Sequence, residues 1–167
     1  MYVTAETSNS VSVVDARTNA VVANVLVDPR PRAVAFSPDG RRAYVTAEIG
    51  GTLSVIDTRT REVVETIDLE DGDGKPVGVA VSPDGRRVYV ANGGANRVSV
   101  IDAGRLAVVA SVVVGRRPWG IAVSADGRFV YTANGASNDV SVVDTTTLRV
   151  VGVIPVGRRP WGVALSP

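Results

Sequence analysis

Two nearly identical segments, Gly115–Gly120 and Gly157–Gly162, both read GRRPWG and concentrate the residues best suited to binding chemistry. Arg116, Arg117, Arg158 and Arg159 carry guanidinium forks that take phosphate or carboxylate bidentately. Trp119 and Trp161 carry indole faces that stack on bases or sugar rings. The corresponding loops upstream add Arg30, Arg32 and Lys75, and neighbouring loops add Asn92, Asn96, Asn134 and Asn138. If these loops gather on one face around a central opening, they form a shallow site for an anionic or ring-bearing ligand. A protein surface or an anionic polymer would suit it. The same residues also admit a structural reading, in which Trp fills a junction between units and Arg solvates the rim.

Other chemistry is limited by what is missing. The 167 residues include no Cys and no His, which removes thiolate metal sites, Cys nucleophiles, imidazole bases and any Ser-His-Asp triad. The formal net charge of +1 makes no global case for nucleic acid or an anionic membrane. No stretch approaches the ~20 apolar residues that span a bilayer, so no membrane insertion is expected. The chain enters a strand pattern at its second residue, so no signal peptide is expected either. The acidic run Asp68–Asp73, DLEDGD, has carboxylates that suit calcium, but it lacks the spacing and distal Glu of a twelve-residue calcium loop and reads as a solvated loop. Asp15, Asp57, Asp102 and Asp144 recur once per unit, as turn formers would and as a single catalytic group would not. No metal, no cofactor and no catalytic residue is assigned on these grounds, and the chain is expected not to be an enzyme.

The loops belong to a repeat. Tyr2, Tyr44, Tyr89 and Tyr131 head four similar units and lie 42, 45 and 42 residues apart, a period that marks a repeat architecture. The units run approximately 2–43, 44–88, 89–130 and 131–167, within one repeat domain over 1–167. Each holds four short Val-rich runs between turns, which reads as four β-strands. In Ser37-Pro38-Asp39-Gly40 and Ser82-Pro83-Asp84-Gly85, Pro presets φ, Asp bonds its own backbone and Gly supplies the positive φ of a tight hairpin. The run before each such turn is small and apolar (GVAV at Gly78, GIAV at Gly120), as an innermost strand near an axis requires.

YVTAETSNSVSVVDARTNAVVANV, YVTAEIGGTLSVIDTRT and YVANGGANRVSVIDA resemble the YVTN β-propeller repeat, which leads from a YVTN-type strand to a G-x-x-P-x-G-V-A-V-S-P-D-G hairpin. The resemblance covers nearly the whole chain and implies an all-β propeller of four four-stranded antiparallel blades. It also implies an extracytoplasmic or cell-surface setting, since such repeats occur in surface-layer proteins. The repeat is similar too to lactonase-like and quinone-associated propellers. The signature Asn is Ala5 and Ala47 in the first two units and Asn92 and Asn134 in the last two. Family members commonly carry about seven blades. The function expected is therefore a non-catalytic binding or scaffold module, with a lactonase-like hydrolase and a self-assembling half-propeller as alternatives. The terminal inner strand 162–166 could complete the first blade and close a ring of four. Two chains could instead close a ring of eight as a homodimer, or the arc could stay open as part of a larger propeller.

Overall fold

The structure, a computed structural model, describes residues 1–69 and 74–166. Its local geometry follows from turn chemistry. Ser37 Oγ donates to Asp39 Oδ1 (2.6 Å), which also accepts the Arg41 N–H (3.0 Å), and Gly40 takes φ +70°. The same hairpin recurs at Ser82–Gly85 and at Ser124–Gly127, where Ala125 replaces Pro. The second recurrent turn hangs on the strand-ending aspartates. Asp102 Oδ1, for example, accepts from the N–H groups of Gly104 (2.9 Å) and Arg105 (2.8 Å).

These turns fold the chain into antiparallel sheets, and no helix occurs among the described residues. β1 (Tyr2–Ala5), β2 (Ser10–Asp15) and β3 (Ala20–Leu26) form a three-stranded sheet in that order. Three four-stranded sheets follow in chain order. They are β4 (Pro31–Phe36) to β7 (Glu62–Asp68), β8 (Pro76–Val81) to β11 (Ala107–Val113), and β12 (Pro118–Val123) to β15 (Arg149–Pro155). Between them lie β5 (Arg42–Ala47), β6 (Thr52–Asp57), β9 (Arg87–Asn92), β10 (Arg97–Asp102), β13 (Phe129–Asn134) and β14 (Asp139–Asp144). Each sheet is one blade of a β-propeller. The third and outermost-strand pairing slips at the same place in every blade, at Val13/Val14, Val55/Ile56, Val100/Ile101 and Val142/Val143. A bulge repeated in register adds the same local twist to each blade.

The core lies between blades. Val11, Val13 and Val25 of the first sheet meet Ala43, Val45 and Ile56 of the second. Tyr44, Leu53 and Val55 then meet Val88, Val90 and Ile101, and Tyr89, Val98 and Val100 meet Val130 and Val143. Polar clamps cross the same junctions. Arg42 Nη1 donates to the Ala103 carbonyl (2.5 Å), Arg87 Nη1 to that of Thr145, and Thr46 Oγ1 to that of Val77 (2.7 Å). At the inner edge the backbones touch, since a Cβ on Gly120 would lie 2.6 Å from Gly162 Cα. Small inner-strand residues were expected for this reason, and the geometry requires them.

The first blade differs from expectation. Residues 162–166, expected as its inner strand, form no ladder with β1. They sit beside β12 instead, in the next inner-strand place along the arc, because Gly120 and Gly162 pack backbone to backbone. The first and last sheets therefore stand at opposite ends of an open arc, and no strand pairing joins them among the described residues.

The turn aspartates make the fold acid-sensitive. Asp102 is held below the usual carboxylate range by the Arg105 N–H above all, Asp57 by that of Thr60, and Asp144 by that of Thr147. In the hairpins Asp39, Asp84 and Asp126 are lowered chiefly by Ser37, Ser82 and Ser124. A depressed folded-state value adds stability that is complete above the unfolded value, ~3.9, and disappears as pH falls through the folded values. Urea midpoints should stay level from neutral pH down to about pH 5 and fall below pH ~4. Asp102→Asn should flatten part of that fall, and a profile identical to wild type would show that this turn does not contribute.

Candidate functional site

One repeat position dominates the inner rim. The residue after each loop proline is Arg32, Val77, Trp119 or Trp161. Facing it, the residue after each tyrosine-bearing strand is Glu6, Glu48, Gly93 or Gly135. The cation before each proline adopts a left-handed backbone, with φ +64° at Arg30, +47° at Lys75, +53° at Arg117 and +51° at Arg159. An asparagine from the preceding blade's hairpin loop holds three of these bends. Asn9 Oδ1 accepts the Arg30 N–H (3.1 Å), Asn96 Oδ1 that of Arg117 (2.8 Å) and Asn138 Oδ1 that of Arg159 (2.9 Å).

The first two units build an ion cluster on this rim. Arg30 Nε donates to Glu6 Oε2 (3.3 Å), and Arg32 Nη1 donates to Glu6 Oε1. Glu48 Oε2 lies 3.3 Å from Arg30 Nε and 3.4 Å from Arg32 Nε. Neither N–H points along its lone pairs, so this enclosed oxygen accepts no hydrogen bond. Its charge is met at ion-pair distance by both guanidiniums.

The last two units build an aromatic wall. Trp119 and Trp161 lie with ring centroids 4.4 Å apart, tilted by 46°. Arg117 stands 5.6 Å over the Trp119 ring and Arg32 5.9 Å over that of Trp161, both within cation–π reach. Trp119 fits only because its neighbour is glycine, as a Cβ on Gly135 would meet its ring at 2.3 Å.

Cluster and wall line one shallow, continuous depression. Glu6, Arg32, Trp119 and Trp161 face one lobe, Glu48, Lys75, Arg116 and Arg117 an adjoining lobe, and Val77 and Trp119 line both. Arg158 and Arg159 flank Arg117 and Trp119 in a third recess. Arg30 reaches the site through its carboxylate partners. Asn92 and Asn134 do not face it. Both are fully buried in their sheets, where Asn92 Nδ2 donates to Ser99 Oγ (2.7 Å) and Asn134 Nδ2 to Asp139 Oδ1 (2.6 Å) and Ser141 Oγ (2.9 Å). Residues 70–73 of the acidic run weighed for calcium lie outside the described residues.

Glu6 and Glu48 escaped the reading of the sequence. The signal was present in the contrast between YVTAE in the first two units and YVANG or YTANG in the last two. The surroundings of Trp119 are open to test. Gly135→Ala should displace the indole, shift its fluorescence and cost about 1–3 kcal/mol of stability by overpacking. Unchanged emission and stability would mean that the contact is not tight.

A family model described as Lactonase, 7-bladed beta-propeller matches residues 22–149. No curated protein matches the chain. Among solved structures, a chain of Kuenenia stuttgartiensis Hydrazine Synthase is 32% identical with a TM-score of 0.85, over 92% of this chain and 45% of that one. A functionally unknown protein from Desulfotomaculum acetoxidans DSM 771 is 21% identical with a TM-score of 0.83, over 99% of this chain and 55% of that one. The chain thus spans about half the length of the structures it matches.

The family match overturns the expectation of a non-catalytic binding or scaffold module, and with it the expectation that the chain is not an enzyme. The physical error was to expect a catalytic carboxylate to be unique to one unit, which passes over Glu6 and Glu48 because two units share them. A carboxylate beside a guanidinium can also move a proton and meet developing charge. The match covers most of the chain, and on it the protein belongs to the lactonase family of seven-bladed β-propellers.

Proposed function

We propose that the axial depression is a lactone-hydrolysing site, or the part of one that this chain contributes. The observation that carries the reading is the Glu48 carboxylate, which lines the depression with its Oε2 3.3 and 3.4 Å from the Arg30 and Arg32 guanidiniums. A water hydrogen-bonded to the Glu48 carboxylate gives up a proton to it as the water oxygen attacks the lactone carbonyl. Negative charge then builds on the carbonyl oxygen, where the Arg32 guanidinium stabilises it. Collapse breaks the ring C–O bond, and the proton passes from Glu48 to the departing alkoxide. The product is the open hydroxy acid, released as its carboxylate. Trp119 and Trp161 supply a face for the ring, and Arg30 and Glu6 keep Arg32 in place.

The test is acid release from a sugar δ-lactone in a pH-stat, corrected for spontaneous opening. Glu48→Gln should lower kcat by about 10²–10⁴-fold. Arg32→Ala should lower it by about 10²–10³-fold, and Trp161→Ala should act mainly on KM. Wild-type protein no faster than buffer, or a fully active Glu48→Gln variant, would sink the reading.

The YVTN-like units support a finer placement, outside the cytoplasm and in the manner of surface-layer propellers. That placement rests on sequence resemblance alone. Cell fractionation with an antibody to the protein checks it, and recovery in the cytosolic fraction would reject it.

A further inference from the structure

Each of the four-stranded blades places two residues on the rim, one after the loop proline and one after the tyrosine-bearing strand. In the second blade both are long, Arg32 and Glu48, and in the fourth Trp119 lies over Gly135. In the third blade both are short, Val77 and Gly93. The difference shows in what surrounds each glycine. A Cβ on Gly135 would collide with the Trp119 ring. The nearest atoms to a Cβ on Gly93 would be the Pro118 carbonyl at 3.3 Å, the Lys75 carbonyl at 3.5 Å and Trp119 Cδ1 at 3.6 Å, none of them from Val77. The third blade thus leaves uncovered the space that the fourth fills with an indole.

That space is a recess of about 350 Å³ beside the axial lobe, within the size range of small-ligand sites. Asn96, Arg116 and Arg117 line it, and Asn96 Oδ1 is already taken by the Arg117 N–H, so these residues offer mainly hydrogen-bond donors. Arg32 faces the axial lobe and Glu48 the recess, and Val77 and Trp119 form the boundary that the two share. The backbone of this boundary is fixed. Thr46 Oγ1 donates to the Val77 carbonyl (2.7 Å), and Gly78 packs so closely that a Cβ there would collide with the Trp119 carbonyl. The size of the side chain at position 77 therefore sets the width of the passage from lobe to recess.

We infer that Val77 is the specificity-determining residue of the depression. With valine there, a lactone whose carbonyl lies between Glu48 and Arg32 can extend a ring substituent over residue 77 into the recess. The edge of Trp119 and the guanidiniums of Arg116 and Arg117 meet it there. A bare lactone ring leaves the recess empty and gains none of those contacts. The class selected is a lactone with bulky, hydrogen-bond-accepting ring substituents. For the identity of its ligand this inference rests on the hydrolase reading.

The test compares glucono-δ-lactone, which carries such substituents, with δ-valerolactone, which carries none, each corrected for spontaneous opening. Val77→Phe closes the passage, and the fold accepts a ring at this place because Trp119 occupies its equivalent over Gly135. The variant should lower kcat/KM for glucono-δ-lactone at least about tenfold and change that for δ-valerolactone by less than about threefold. Equal losses on both lactones, or no loss on either, would overturn the inference. The corresponding δ-lactams do not open, and their binding is read from tryptophan fluorescence, which tests the passage apart from hydrolysis. Wild type should bind the substituted lactam more tightly than the bare one, and Val77→Phe should remove that preference. If neither lactone opens faster than in buffer while the lactams behave in this way, the hydrolase reading falls and the role of Val77 stands. A wild type without the preference, or a variant that keeps it, overturns the role of Val77 whatever the lactones do.

Discussion

No blade of this protein can bury its own faces. A four-stranded sheet exposes two apolar surfaces, and each is covered only when another sheet lies against it. This constraint orders the rest of the molecule. It places Tyr44 and Tyr89 with Val55 and Val100 on the faces that look forward along the chain, and Val88 and Val130 on the faces that look back. It also drives the inner strands together until backbone meets backbone, which is why Gly120 tolerates no side chain. Stability in such an array is a sum of blade and junction contributions, so each junction needs its own clamp. Arg42 and Arg87 supply it, each reaching across to a carbonyl of the next blade.

A scaffold held this way can vary its rim without touching its core. The position after the loop proline passes from Arg32 through Val77 to Trp119 and Trp161, while the buried residues behind it barely change. The variation is paired. Trp119 needs Gly135 because a side chain there would occupy the space of its ring. Arg32, in contrast, needs a carboxylate across from it and finds Glu48. Glutamate and tryptophan thus exclude one another within a blade. The result is a polar half and an aromatic half on one depression.

Much of the fold could be read from residue order, because each signal had a short-range cause. The tyrosine period marked the blades, the Ser-Pro-Asp-Gly turns marked the hairpins, and the small inner-strand runs marked the axis. What failed depended on direction rather than order. Asn92 and Asn134 end their strands and so seemed to border the loops, yet their amides turn into the sheet toward Ser99 and Ser141. Asn96 and Asn138 do lie in loops, but their oxygens are taken by the backbone of the next loop. Glu6 and Glu48 were overlooked for the opposite reason. They stood in register with glycines, and a search for a unique carboxylate passed over a pair that two units share.

That oversight also led the first functional reading away from catalysis. An imidazole is most useful where a weak nucleophile must attack an unreactive amide or where a proton must shuttle repeatedly near neutral pH. Opening a lactone asks less. The carbonyl is already electrophilic, the leaving alkoxide stays tethered to the product, and one carboxylate can take the proton from water and return it. On the proposed reading, a guanidinium at ion-pair distance from that carboxylate answers, in the same place, the charge that forms on the substrate. Arg32 stands between Glu48 on one side and the Trp161 ring on the other. A chain without histidine therefore lacks one kind of base, while the rim of its axis retains a carboxylate and a cation that the proposed hydrolysis would use.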